Sequence, residues 1–127
     1  MKLLVIGATS NIAMRYLEMT SKSFKEIVLV VRNEDKLLNF LSQNLELKKK
    51  SIIKILDFSD PQSIKKLNDH LTEKSFTPNE VFITIGASVL TLNEKNEFSA
   101  LEKLSYINYL SPMYIIESLY EWLKSLI

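Results

Sequence analysis

The chain has no cysteine, two glycines, three prolines, one histidine and one tryptophan among its 127 residues. The missing cysteine excludes a disulfide framework and any thiolate metal site. Neither charge predominates: 16 Lys and Arg against 15 Asp and Glu leave a formal net charge of +1. That balance gives no reason to expect nucleic acid or an anionic membrane as a partner. Long hydrophobic runs are also missing. The apolar run over residues 2–6 is too short for the core of a signal peptide, and no stretch approaches a membrane span. These absences point to a cytoplasmic protein. The scarcity of glycine makes the place of each one informative.

What remains is ordinary globular composition, 46% apolar and 24% charged, in a length that suits one domain over residues 1–127. Two periods alternate along it. Residues 2–6 and 26–31, together with Ser51 to Leu56 and Glu80 to Ile85, are apolar runs of strand length. Between them lie helical patterns. Residues 12–20 carry Ile12, Tyr16, Leu17 and Met19 on a partial apolar face. Asn33 is placed to cap a helix with Leu37, Leu38, Phe40, Leu41 and Leu45 on its apolar side, ending near Lys48 to Lys50. Ser59 or Asp60, followed by Pro61, starts a third helix carrying Ile64, Leu67 and Leu71. A long helix over 99–126 offers Leu101, Leu104, Ile107, Leu110, Ile115, Leu119 and Leu123 as core positions, with Pro112 as a point of kinking.

The order βαβαβαβα, with strands too apolar to be half exposed, calls for a parallel sheet covered by helices on both faces. Right-handed crossovers favour a doubly wound, Rossmann-like α/β arrangement with strand order 3-2-1-4. In such a sheet ligands bind beyond the C-terminal ends of the strands, at the switch between strands 1 and 4. Gly7 and Gly86 end those two strands, so both glycines are expected at the rim of one crevice.

The turn between strand 1 and the first helix reads Gly7-Ala8-Thr9-Ser10-Asn11-Ile12-Ala13. Gly7 permits a tight exit from the strand. Asn11 stands at a middle position where left-handed backbone is tolerated better by asparagine than by most residues. Ala13 stands where helix and strand pack closely. The N-terminus of the helix then offers N–H groups and a positive dipole end to a pyrophosphate.

"GATSNIA" resembles the cofactor loop of the short-chain dehydrogenase/reductases, T-G-x-x-x-G-I-G, with Ile6, Asn11 and Ala13 departing from it. "LVVRNEDKL" (29–37) resembles the end of that family's second strand and its next helix. "LDFSD" (56–60) resembles the segment that meets adenine. "ITIGAS" (83–88) resembles the N-N-A-G segment, keeping only the glycine. "INYLSPM" (107–113) resembles the helix that carries the family's catalytic asparagine, here Asn108. The resemblance implies a dinucleotide held by Gly7, Thr9, Ser10, Asn11, Ile12, Arg32, Asn33, Asp57, Phe58 and Gly86, with Asn108 as the one member of the catalytic set.

Residues 31 and 32 bear on which dinucleotide. An NAD enzyme of this design carries an acidic side chain at the end of strand 2 for the ribose 2′-OH. Val31 cannot serve that role, and Arg32 suits a 2′-phosphate. NADP is therefore expected, with NAD the alternative.

The resemblance also implies a serine on a fifth strand and a Tyr-x-x-x-Lys pair tens of residues beyond Asn108. Tyr120 and Lys124 fit the spelling but lie only twelve residues past Asn108 on the same predicted helix. That is ~18 Å along the axis, too far for a shared relay. They read as ordinary helix residues. His70 reads as part of a solvated face, and no metal-site spacing is present. The sequence thus suggests a truncated, catalytically silent cofactor-binding half of a reductase. The alternative is a non-catalytic nucleotide-sensing or interaction module. With no fifth strand, the apolar run Val81 to Ile85 is expected to be a bare sheet edge. Ile115, Leu119, Trp122, Leu123 and Leu126 are expected to add exposed apolar surface, so a homodimer through strand 4 or the last helix follows.

Overall fold

The computed structural model describes residues 1–86 and 97–125, with Ile64 and Glu97 described by their backbone alone. Ala87, Ser88, Leu126 and the Ile64 side chain therefore lie outside the described residues. Two compact units are distinguished: Met1–Leu56 with Ser75–Thr84, and Asp57–Lys74 with Ile85–Ile127.

The first unit is a four-stranded parallel sheet in the order β3-β2-β1-β4, the Rossmann-like arrangement expected from the sequence. The strands are β1 (Lys2–Ile6), β2 (Glu26–Val31), β3 (Ser51–Ile55) and β4 (Glu80–Ile83). Leu3 pairs with Ile27 on one side and with Glu80 on the other, and Ile27 pairs with Ser51. Side chains alternate across a sheet, and here both sets of the inner strands are apolar. Leu3, Val5, Ile27, Leu29 and Val31 form one cluster with residues of α1 (Asn11–Thr20), α2 (Asp35–Ser42) and α3 (Leu45–Lys49). Leu4, Ile6, Val28 and Val30 alternate with them and are equally solvent-free. At the β4 edge, Tyr16 of α1 stacks face to face on Phe82, with centroids 4.1 Å apart.

The helix expected after Asn33 is two helices. The Asn44 carboxamide donates to the Phe40 carbonyl at 2.8 Å, and the Ser42 hydroxyl to the Asn39 carbonyl at 2.6 Å. These side chains offer the backbone an alternative to helix continuation, and the chain breaks at Gln43 and Asn44. The break re-aims the second piece. Leu47 enters the core, while Leu38 and Leu45 are exposed, against expectation. Ile12 and Met19 of α1 are exposed as well.

In the second unit, α4 (Pro61–Glu73) starts at Asp60, whose carboxylate accepts from the Gln62 N–H at 2.9 Å, with Pro61 in the first turn. The long helix expected over 99–126 is α5 (Glu97–Ser105), a π-helical turn at Tyr106–Leu110, and α6 (Ser111–Ser125). Pro112 accounts for the interruption. It has no N–H for the Asn108 carbonyl, and its ring crowds that carbonyl. The Ser111 N–H reaches back five residues to the Tyr106 carbonyl instead. The wider turn changes which residues face inward. Ile107, Ile115 and Leu119 are buried, while Leu101 and Leu110 are exposed. Helix α6 packs on α4 through Asn68, whose carboxamide donates to the Ser118 carbonyl at 3.1 Å. The Trp122 indole donates to the Thr72 hydroxyl at 3.1 Å.

Ile115 and Leu119 are thus core residues, not the exposed surface expected of them, and Trp122 and Leu123 are half-buried. The exposed apolar face of this segment is made instead by Tyr109, Met113, Tyr114, Ile116 and Tyr120. His70 is half-buried on α4, with Nε2 shielded from solvent, so it does not belong to a solvated face.

Candidate functional site

The turn after β1 is built around Gly7, which adopts φ +91°. A Cβ at residue 7 would stand 2.6 Å from the Thr84 carbonyl oxygen and 2.8 Å from its carbon. Glycine is required on both counts. The N–H groups of Gly7 and Ala8 both donate to the Val30 carbonyl, at 2.9 and 3.1 Å, which ties the turn to β2.

Ser10 caps α1: its hydroxyl oxygen accepts from the Ala13 N–H at 3.0 Å. Its own N–H donates to the Gly7 carbonyl at 3.1 Å. The Thr84 hydroxyl also donates to the Gly7 carbonyl, at 2.9 Å. With its one proton spent there, Thr84 must accept in the 2.8 Å contact with the Ser10 hydroxyl, so Ser10 is the donor. Ala13 is fully buried against β1, which shows that the methyl group at this position is accommodated. The N–H groups of Thr9, Asn11 and Ile12 have no partner among the described residues.

Asn11 does not take left-handed backbone. Among the described residues only Gly7 and Ser75 have positive φ, and Asn11 is the first residue of α1. The turn reverses entirely at Gly7, so no second glycine is needed. The Asn11 side chain points outward and accepts from the Lys36 ammonium at 3.1 Å.

Arg32 follows β2 directly. It is exposed and makes no hydrogen bond or ion pair among the described residues. The Asn33 carboxamide oxygen accepts from the Asp35 N–H at 2.9 Å, one residue ahead of Glu34, which takes the N-cap position of α2 expected of Asn33. Lys36, one turn on, was not foreseen as a site residue. Its only signal in the sequence is a cation in the first turn of a helix, where the dipole favours acidic residues. Asn11 draws this cation to the start of α1.

In the second unit the Asp57 carboxylate accepts from the N–H and hydroxyl of Ser59, at 2.9 and 2.6 Å, and is exposed. Phe58 is buried. Gly86 is exposed, and among the described residues a Cβ there would meet only the Asn108 carboxamide oxygen, at 3.4 Å. Asn108 lies in the middle of the π-helical turn. Two residues earlier, Tyr106 has a buried hydroxyl with no hydrogen-bond partner among the described residues. Burial raises its pKa, and Tyr114, Asp60 and Asp57 push it further the same way. Tyr120 is exposed on α6, with the Lys124 ammonium 5.8 Å from its ring centroid, as neighbours on one helix face. No group of His, Asp or Glu among the described residues could hold a metal ion, and no helix among them is long and apolar enough to cross a membrane.

No protein-family model and no curated protein sequence matches the chain. Solved structures do match. An NAD+-bound xylitol dehydrogenase superposes with a TM-score of 0.79 at 14% identity, over 98% of this chain and 48% of its own. A short-chain dehydrogenase/reductase variant from Serratia marcescens gives 0.78 at 11% identity, over 96% and 50%. An actinorhodin polyketide ketoreductase variant solved with NADPH gives 0.76 at 16% identity, over 98% and 48%. The fold is that of the short-chain dehydrogenase/reductases, and the chain spans about half the length of these structures.

Proposed function

We propose that this chain is the dinucleotide-binding half of an oxidoreductase of the short-chain dehydrogenase/reductase type and that it prefers NADP(H) to NAD(H). The observation that carries the reading is the Gly7 turn. It is closed to any side chain and opens onto a helix start where the N–H groups of Thr9, Asn11 and Ile12 have no partner among the described residues. Such a start suits a pyrophosphate. The N–H groups of Thr9, Asn11 and Ile12 hold it in this reading, and Gly7 and Ser10 shape the turn. Arg32 and Asn33 take the adenosine ribose and its 2′-phosphate in this reading, and Lys36, held by Asn11, adds charge at the pyrophosphate; Asp57, Phe58 and Gly86 keep the cofactor-binding role, and Asn108 the catalytic role, that the resemblance assigns them. Bound, the cofactor supplies or accepts hydride.

The preference for NADP(H) is supported by Val31, which is apolar and buried where a carboxylate would select NAD, and by the guanidinium of Arg32, which is unpaired among the described residues. Tyr120 and Lys124 do not supply the proton relay, so the chain alone is expected to show no oxidoreductase turnover. The exposed face of Tyr109, Met113, Tyr114, Ile116 and Tyr120 supports a homodimer of two-fold symmetry.

Calorimetric titration with NADPH and NADH tests the reading. NADPH is expected to bind more tightly, and Arg32→Ala to abolish the difference. Equal affinities in the parent chain overturn the preference, and no heat from either cofactor overturns dinucleotide binding.

A further inference from the structure

We infer that Thr84 is the positioning residue of the Gly7 turn: its hydroxyl joins β4 to the start of α1 and fixes the geometry in which the turn meets an anion. This rests on the reading of that turn as a dinucleotide site. Four polar groups form one directed chain. The Ala13 N–H donates to the Ser10 oxygen at 3.0 Å, and the Ser10 hydroxyl donates to the Thr84 oxygen at 2.8 Å. The Thr84 hydroxyl donates to the Gly7 carbonyl at 2.9 Å. Every hydroxyl proton in the chain is spent inward. Neither Ser10 nor Thr84 keeps a donor for a ligand, and the Gly7 carbonyl, which would repel a phosphate, is held by Thr84 and by the Ser10 N–H. The anion is left to the backbone N–H groups of Thr9, Asn11 and Ile12.

The same residue sets the closeness of the turn. The Thr84 carbonyl passes 2.6 Å from the missing Cβ of residue 7, and the Thr84 N–H donates to the Ile6 carbonyl at 2.8 Å. Thr84 thus grips β1 on both sides of the point where the chain reverses. Isoleucine at residue 6 leaves no side-chain hydroxyl on β1 for this purpose.

Thr84→Val keeps the shape and removes the hydroxyl, whereas Thr84→Ser keeps the hydroxyl. Two readouts apply to the full chain. Without ligand, hydrogen exchange at the Ala13 amide is expected to quicken roughly ten-fold in Thr84→Val, because losing a net hydrogen bond is worth about one such factor, and to stay at the parent rate in Thr84→Ser. With NADPH, the dissociation constant is expected to rise by a similar factor, roughly ten-fold, in Thr84→Val alone. If Thr84→Val does not fold, Ser10→Ala breaks the same chain one link earlier and is expected to weaken NADPH binding as much. Parent-like exchange and binding in the hydroxyl-free variants overturn the inference, as does equal loss in Thr84→Ser. If the parent chain binds no NADPH, the functional reading fails, and the exchange experiment still decides the positioning role.

Discussion

The carbonyl oxygen of Thr84 stands 2.6 Å from the place a Cβ of residue 7 would take, whereas a Cβ on Gly86 would meet, among the described residues, only the Asn108 carboxamide oxygen at 3.4 Å. The two glycines of the chain therefore tolerate substitution differently. Gly7→Ala puts a side chain into backbone at positive φ, and a loss of at least about 2 kcal/mol is expected. Gly86→Ala makes an ordinary contact and is expected to stay within about 0.5 kcal/mol of the parent. Urea unfolding of both variants checks this. Equal losses would show that the Gly7 turn can relax.

Tyr106 gives a pH prediction. Its folded pKa lies above the ordinary 10.0, with burial the largest cause and Tyr114, Asp60 and Asp57 adding to it. The folded state holds this proton more tightly than the unfolded chain. The contribution to stability is therefore full below pH 10 and declines as pH rises toward the folded pKa. Tyr106→Phe removes both that decline and a buried hydroxyl without a partner, so a gain of about 1 kcal/mol is expected at neutral pH. The gain should grow above pH 10. Urea midpoints of both chains at several pH values measure it, and a gap that shrinks with alkaline pH contradicts the assignment.

Lys36 and Arg32 are expected to divide the cofactor's anionic charge. Lys36 is held at the start of α1 by Asn11, beside the proposed pyrophosphate position, so Lys36→Ala should weaken NADPH and NADH alike, by roughly three- to ten-fold. Arg32→Ala should weaken NADPH alone. Titration of both variants with both cofactors separates the two roles. A Lys36→Ala effect confined to NADPH would move that cation to the 2′-phosphate.

The proposed dimer would use the face of α6 that carries Met113 and Tyr114, because Ile115 and Leu119 are occupied by the core. Met113→Glu and Tyr114→Glu are expected to shift sedimentation from dimer to monomer without loss of thermal stability. Trp122→Glu should instead destabilise the fold, since Trp122 is half-buried and bonded to Thr72. A monomeric parent at high micromolar concentration contradicts the dimer.

The strands and their order were legible because four runs of apolar, mostly β-branched residues fix a parallel sheet whatever happens in the loops. Gly7 was legible because glycine is so scarce in this chain. Other features depended on side chains whose effect is only local. Asn44 splits one predicted helix into two by bonding to the Phe40 carbonyl, a choice that apolar periodicity does not register. Pro112 was visible as a kink, but the five-residue reach from Ser111 to Tyr106, which turns Leu110 outward, was not. Thr84 and Lys36 were missed for another reason. Their partners, Ser10 and Asn11, lie 74 and 25 residues away, and the contacts exist only once the strands are side by side.

The central claim is that the start of α1 binds the pyrophosphate of a dinucleotide. Backbone amide spectra of the labelled chain, recorded while NADPH is added, test it most directly. Saturable shifts concentrated at Thr9, Asn11 and Ile12, and absent in Gly7→Ala, are the predicted result. Saturating NADPH that leaves those three amides unmoved, or moves only residues elsewhere, would contradict it.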